Sequence, residues 1–141
     1  MVVYASVAVK WFVDADWALR EDYAEQALAL LTASADGELA LLQPPHFLAE
    51  VASVLTRLAP ERALQNITDL TALAIDWAAP TDSYARAIAL SRQLDHHLFD
   101  TLYHALALDT PGAVLVTADR RYFDKAQHLG QIAWLPDWRD S

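Results

Sequence analysis

Residues 113–119 read Ala113-Val114-Leu115-Val116-Thr117-Ala118-Asp119. The run 113–117 is short, apolar and rich in β-branched residues, which is typical of a strand buried on both faces. Asp119 directly follows this strand and precedes a helical segment that starts at Arg120. An aspartate in this position can cap the helix, and it can also present a ligand at the carboxyl end of a parallel strand. The two roles can coexist.

The rest of the chain repeats this alternation of strand and helix. Further strand candidates lie at 1–4, 39–42, 75–78 and 131–135. Apolar residues at three- and four-residue spacing predict helices at 23–33, 47–58, 83–94 and 98–108, and after Pro60, which ends the second of these, we expect another helix at 61–72. Strands that alternate with helices require crossover connections. The pattern therefore predicts an α/β fold, a three-layer α/β/α sandwich with a central, mostly parallel sheet.

The composition is that of one globular domain. The chain has 141 residues, of which 55% are hydrophobic and none is cysteine. This length suffices for one apolar core without disulfides or a structural zinc site, so we expect a single domain over residues 1–141. We find neither an export signal nor an apolar run long enough to span a membrane, and we therefore expect a cytoplasmic protein.

The formal net charge of −9 argues against a broad basic surface that would bind nucleic acid. Any contact with nucleic acid must then be local. An acidic balance is compatible with a carboxylate cluster that binds divalent cations, and equally with a basic protein partner. Composition does not decide between these interpretations.

Two further acids stand in helical segments. Asp100 opens the predicted helix at 98–108, where an N-cap or a first-turn acid is the simplest interpretation. Glu50 lies inside an apolar helical run, with His46 four residues before it and Ser53 three after, so all three can share one face. A carboxylate in such surroundings needs a partner or a metal unless it faces solvent.

Four segments taken together resemble a known family. The segments are Val2-Val3-Tyr4-Ala5-Ser6-Val7-Ala8-Val9-Lys10-Trp11-Phe12, Pro45-His46-Phe47-Leu48-Ala49-Glu50-Val51, Phe99-Asp100-Thr101-Leu102-Tyr103-His104-Ala105-Leu106-Ala107 and Leu115-Val116-Thr117-Ala118-Asp119-Arg120-Arg121-Tyr122-Phe123. In content, order and spacing they resemble the motifs of VapC-like PIN-domain proteins, the toxin ribonucleases of type II toxin–antitoxin systems.

The resemblance implies a PIN-like domain and a set of site residues. Glu50, Asp100 and Asp119 would be the catalytic, metal-binding acids, and Ser6 and Thr117 would be polar supports beside them. Tyr4 stands where the family has its first acid.

The resemblance also implies an activity and partners. Such proteins are hydrolases that cut RNA phosphodiester bonds as endoribonucleases with Mg²⁺ or Mn²⁺, are restrained by an antitoxin protein, and often form homodimers. The cation would turn repulsion among carboxylates into a hard oxygen site, offset phosphate charge and acidify a water molecule. Lys10, Arg120 and Arg121, with Lys125 nearby, could contact RNA phosphates or could be ordinary surface charges.

Tyr4 changes this expectation, because a phenol is neutral near pH 7, where an aspartate would be an anionic ligand. We expect weaker metal binding, weak or absent cleavage of RNA, and a fold that is more stable without metal. The alternative is a catalytically degenerate PIN-fold binding module, which dimerises and captures an antitoxin peptide in its groove.

Other site types receive less support. Ser6 lacks the glycine-flanked elbow of serine hydrolases, and three glycines form no phosphate-binding fingerprint. His96 and His97 are adjacent, so on a helix they would point in different directions. We predict a helix-end or turn role for them in preference to a metal-binding pair.

Overall fold

A computed structural model describes residues 1–12 and 23–138 of the chain, and the structural statements below concern those residues. Its five strands are parallel to their partners and short: β1 (Val2–Val3), β2 (Leu41–Gln43), β3 (Ile75–Trp77), β4 (Leu115–Thr117) and β5 (Ile132–Trp134). Each lies inside a predicted strand or within one residue of it. The predicted ends were too long because the flanking residues leave the ladder for loops or helices.

The strands form a three-stranded sheet, β1-β4-β5, and a two-stranded pair, β2-β3. Hydrogen bonds join the two parts. Met1 donates from its terminal ammonium group to the carbonyl of Ala40 (2.7 Å) and accepts from the amide of Leu42 (2.8 Å), which is the pattern of a parallel ladder. The Gln43 side chain then replaces backbone pairing by bonding both the amide (3.1 Å) and the carbonyl (3.0 Å) of Val3. The resulting order is β3-β2-β1-β4-β5.

Seven α-helices and two short 3₁₀ helices connect these strands within the described ranges. The α-helices are α1 (Ala5–Val9), α2 (Ala24–Ala35), α3 (Phe47–Leu58), α4 (Ala63–Thr71), α5 (Tyr84–Leu94), α6 (Leu98–Asp109) and α7 (Arg120–Ala126). All the predicted helices are present. We did not predict α1, because five residues are too few to show a helical period. The 3₁₀ helices are Gln127–Leu129 and Leu135–Asp137.

The apolar core lies around the central strands, since every residue of β1 and β4 is buried. Helix α6 packs on both of these strands, α5 packs on α6, and α1 packs on α3. The predicted α/β class with a central parallel sheet is confirmed. No helix in the described ranges combines the length and the apolar character needed to cross a membrane.

The strand order fixes where a site can form. From β1 the chain builds outward through β2 to β3 on one side, and β4 then pairs with β1 on the other side. Strand order therefore reverses between β1 and β4. In parallel sheets a crevice opens at such a switch point, beyond the carboxyl ends of the strands. Tyr4 directly follows β1, and Asp119 lies two residues after β4.

Candidate functional site

A cleft of about 460 Å³ lies at this switch point. Its lining comes from α1, from the residues that follow β1 and β4, from one side of α3 and from the start of α6. The lining residues are Tyr4, Ala5, Ser6, Val9, Lys10, Glu50, Val54, Arg57, Asp100, Ala118 and Asp119. The cleft thus gathers all three predicted acids, Ser6 and Tyr4.

Asp119 is held in place by the turn from β4 into α7. Its Oδ1 accepts a hydrogen bond from the amide of Tyr122 (3.2 Å), so it is the N-cap of α7, as the sequence suggested. The buried hydroxyl of Thr117 accepts a hydrogen bond from the amide of Asp119 (3.0 Å). Thr117 therefore fixes the backbone that carries the carboxylate, which leaves Oδ2 without a role in the cap.

Asp100 lies in the first turn of α6, whose N-cap is His97. Its Oδ2 lies 2.9 Å from Nε2 of His96. Burial raises the pKa of Asp100; contact with His96 opposes this shift, while the charges of Glu50 and Asp119 add to it. Asp100 therefore lies where its charged form is disfavoured, chiefly by burial and in part by the two neighbouring carboxylates.

His96, Asp100 and Asp119 form a tight group, which we call the acidic cluster. One potential ligand atom from each residue lies within 4.8 Å of the other two. The helix-end role predicted for His97 is confirmed, since its ring accepts from the amide of Phe99 (3.3 Å). His96 also lies between two helices, as predicted, but its ring contacts Asp100, which was not predicted although the spacing of four residues was a usable signal.

Glu50 lies in the same cleft but outside the acidic cluster. Its Oε1 is 3.3 Å from Nε2 of His46, and its Oε2 accepts a hydrogen bond from the hydroxyl of Tyr103 (3.3 Å). The predicted pairing of His46 and Glu50 on one helix face is therefore observed, whereas Ser53 is exposed. Glu50 has polar partners, as its apolar surroundings required.

The acidic cluster suits a divalent cation. Carboxylate oxygens are the preferred ligands of hard cations such as Mg²⁺ and Mn²⁺, and an imidazole nitrogen is a common ligand of transition metals. Burial is the main cause of the raised pKa of Asp100, the charges of Glu50 and Asp119 add to it, and a cation beside Asp100 would offset those charges. The donor set of Asp100, Asp119 and His96 thus fits a metal ion, with Glu50 on the adjoining wall.

Tyr4 has an unexpected place beneath these acids. Its ring is only 5% exposed and packs edge-on against Tyr103 (4.8 Å between centroids) and Tyr122 (5.8 Å). Its hydroxyl donates to the backbone carbonyl of Asp100 (2.9 Å). Burial, assisted by nearby tyrosines and carboxylates, raises the pKa of Tyr4 well above its ordinary value, so the phenol stays neutral. We call Tyr4, Tyr103 and Tyr122 the tyrosine floor.

The tyrosine floor continues into a buried histidine. Nδ1 of His104 lies 2.9 Å from the hydroxyl of Tyr122, and Nε2 lies 2.9 Å from the carbonyl of Gly130. Because a carbonyl only accepts, Nε2 carries the hydrogen and Nδ1 accepts from the tyrosine. Burial lowers the pKa of His104. This histidine was not anticipated, because one histidine in an apolar helix gives no specific sequence signal.

The cations of the cleft differ from those expected. Lys10 lines it as predicted, and so does Arg57, which the sequence analysis missed although it lies seven residues after Glu50 on α3. Arg120 instead pairs with Asp124 (3.0 Å) and lies over the ring of Trp134. Arg121 is exposed and does not line the cleft. The i,i+4 pairing on α7 explains why Arg120 points elsewhere.

Comparison with protein-family models gives a match to the family described as PIN domain, over residues 1–129. The matched span contains every residue of the acidic cluster, the tyrosine floor and the cleft lining. Comparison with curated proteins gives no match.

Proposed function

The chain belongs to the PIN-domain family, and on this premise we propose that it is a VapC-like toxin, an endoribonuclease that uses Mg²⁺ or Mn²⁺. PIN domains are generally metal-dependent nucleases. The observation that supports the proposal most strongly is the acidic cluster, which lies at the switch point of the sheet within the matched span. A nuclease site requires such a group of carboxylates beside an open cleft.

Each residue of the site has a task in this proposal. Asp100, Asp119 and His96 would hold the cation, Glu50 would contribute from the adjoining wall, and the 2.9 Å contact keeps His96 beside Asp100. When bound, the cation offsets the charge of an RNA phosphate and makes water a better nucleophile near neutral pH. Thr117 and the cap on α7 keep Asp119 from moving away from its neighbours.

Arg57, and in second place Lys10, which is only 6% exposed, are the cations that we assign to RNA phosphates. Both line the cleft, whereas Arg120 and Arg121 do not. Arg57 lies two helical turns beyond Glu50, which corresponds to roughly 10 Å along the axis of α3. At that separation we expect its charge to meet a phosphate beside the one being cut and to counteract the acidic net charge of the protein locally.

Tyr4 weakens this site. A neutral phenol that already donates its proton to the Asp100 carbonyl supplies no anionic ligand. We therefore propose low metal affinity and slow cleavage for this chain. The same observation favours an alternative, a catalytically degenerate PIN-fold module that dimerises and binds an antitoxin peptide. A basic side chain of such a peptide would pair with the acidic cluster.

Metal titration combined with an RNA cleavage assay tests the proposal. We expect Mn²⁺ to bind the wild-type protein at one weak site, measured by calorimetry, and to support slow cleavage of a labelled single-stranded RNA. Asp100→Asn should weaken Mn²⁺ binding by about tenfold or more and abolish cleavage, because it removes an anionic ligand. Asp76→Asn is the matched control, since Asp76 is exposed on β3, outside the cleft lining.

The outcomes separate the two functions. Unchanged Mn²⁺ affinity in Asp100→Asn would show that the acidic cluster is not the metal site. A wild-type protein that neither binds Mn²⁺ nor cleaves RNA, but binds a basic peptide, would support the binding module instead.

A further inference from the structure

An exposed aromatic surface lies beside the acidic cluster. It consists of the rings of His46, His97 and Phe99, which we call the aromatic rim. His97 stacks on Phe99 with 5.1 Å between centroids and 24° between planes, and His46 approaches at 5.7 Å with a tilt of 40°. Phe99 is nevertheless 52% exposed, so two ring contacts leave half of its surface open to solvent.

The aromatic rim is connected to Asp100 and Glu50 by chain neighbourhood and short contacts. Phe99 directly precedes Asp100 on α6. Nε2 of His46 lies 3.0 Å from the carbonyl of Phe99 and 3.3 Å from Oε1 of Glu50. Since both neighbours are acceptors, this nitrogen carries a hydrogen and bridges the rim to Glu50. The position of Phe99 is thus fixed relative to the acids of the cleft.

Neither the core nor the metal site explains why Phe99 is exposed. The other first-turn residues of α6 have structural tasks, because Thr101 bonds the carbonyl of Ala87 (2.9 Å) and Asp100 contacts His96. Phe99 is exposed together with the stacked ring of His97, so the two residues present one aromatic surface to solvent next to Asp100. Its planar, polarisable face suits another planar ring.

We propose that the aromatic rim stacks an unpaired nucleobase of the RNA strand whose phosphate lies at the acidic cluster; the inference rests on the function proposed above. A base stacks on any aromatic face without reading sequence, so the rim would select single-stranded over paired RNA. A protein with a net charge of −9 gains little RNA affinity from phosphate contacts. Stacking of bases on the aromatic rim would add to that affinity.

Two RNA probes of equal charge separate stacking from phosphate binding. One is an oligoadenylate of about ten nucleotides, within the usual site size for single strands, and the other has the same length with abasic ribose at every position. Binding is measured by fluorescence anisotropy in Ca²⁺, which is an oxygen-binding cation used here in place of the catalytic ion. We expect the wild-type protein to bind the oligoadenylate about tenfold more tightly than the abasic strand.

Variants at Phe99 identify the stacking residue. Phe99→Ala and Phe99→Leu should remove most of the preference for bases, because Leu restores apolar volume but no ring face. Phe99→Trp should retain the preference or increase it. Ile88→Ala is the matched control, since Ile88 is 50% exposed on α5 and is not part of the rim. Urea unfolding of each variant verifies that the fold is intact.

Each result has one interpretation. If neither RNA binds, the proposed ribonuclease function fails, and this inference fails with it. If both RNAs bind but Phe99→Ala keeps the preference for bases, the inference alone is overturned. If Phe99→Ala instead lowers the sedimentation coefficient of the protein without affecting the preference, the rim is an interface between two copies of the chain.

Discussion

The tyrosine floor and the acidic cluster lie in contact with each other, yet they differ in chemistry and exposure. Tyr103 and Tyr122 are fully buried, and Tyr4 is nearly so. Asp100 and Asp119 are partly open to solvent, and their charges oppose one another. The floor thus gains stability by excluding water, whereas the cluster costs stability unless a cation is bound.

The difference shows how one substitution can act on two properties. Tyr4 belongs to the floor by its packing, but it occupies the place where the resemblance to VapC-like proteins expects an acid of the cluster. A side chain at this position either completes the packing or adds a ligand. The fold without metal and the metal site therefore make opposite demands on residue 4.

The largest expected effect comes from Tyr4→Asp, which removes one ring of the tyrosine floor and adds a carboxylate to the acidic cluster. We expect the metal-free protein to lose about 3–5 kcal/mol of unfolding free energy, because the change removes a buried ring and adds a carboxylate beneath two others. Mn²⁺ should restore much of this loss and should increase RNA cleavage, since it binds only the folded state of the completed site. Urea unfolding with and without Mn²⁺ measures both effects.

Tyr4→Phe is the matched control. It keeps the ring between Tyr103 and Tyr122 but removes the donor to the Asp100 carbonyl, at a cost of about 1 kcal/mol. Mn²⁺ should stabilise this variant no more than the wild type. A Tyr4→Asp protein that is as stable as wild type without metal would refute the packing role. One that gains nothing from Mn²⁺ would refute the missing-ligand interpretation.

A second expected effect is on the unfolding free energy at acid pH. It tests whether His104, which contacts Tyr122 of the tyrosine floor, stays uncharged in the folded protein. In the folded protein, burial lowers the pKa of His104 below its ordinary value of 6.5. As the pH falls, the imidazole of the unfolded chain therefore takes up a proton before that of the folded protein. The stability that neutral His104 contributes is complete above the ordinary pKa and is lost as the pH falls toward the lowered one. The loss has a slope of at most about 1.4 kcal/mol per pH unit.

The effect of His104 can be separated from other acid-sensitive groups by His104→Gln, which cannot titrate. We expect the wild type to lose more unfolding free energy between about pH 7.5 and pH 5.5 than this variant does. In the part of the chain that the structure describes, the ring of His104 contacts the Tyr122 hydroxyl and the Gly130 carbonyl, and His128 is the nearby titratable group that affects its pKa. Equal losses in both proteins would show that His104 is protonated in the fold without cost.

The cluster was more predictable from the sequence than the floor. Asp119 follows a strand that is recognisable by composition, and parallel strands bring their carboxyl ends together by geometry. For Glu50, outside the cluster, the sequence predicted only that an acid in an apolar helix needs a partner or a metal, and the structure supplies two partners. Local sequence and the geometry of parallel strands were therefore enough to single out these residues.

The floor could not be predicted, because its contacts join distant parts of the chain through side-chain shape. Tyr4 meets Tyr103 and Tyr122 only after three elements have packed, and no period in the sequence records that meeting. The direction of Arg120 was missed for a similar reason. Its partner Asp124 competes with the cleft for the same guanidinium, and sequence spacing shows both options without ranking them.

The smallest expected effect separates the two roles of Asp119, which caps α7 and belongs to the cluster. Asp119→Asn keeps a side-chain oxygen for the Tyr122 amide, so its unfolding free energy should stay close to wild type. Asp119→Ala should lose about 1 kcal/mol with the cap. Both variants lose the carboxylate, and both should therefore lose Mn²⁺ affinity to a similar extent in calorimetry.

If Asn proves as destabilising as Ala, the cap acts through its negative charge at the helix N-terminus. If Asn binds Mn²⁺ like wild type, Asp119 is a structural residue, and the cluster has no cation role there.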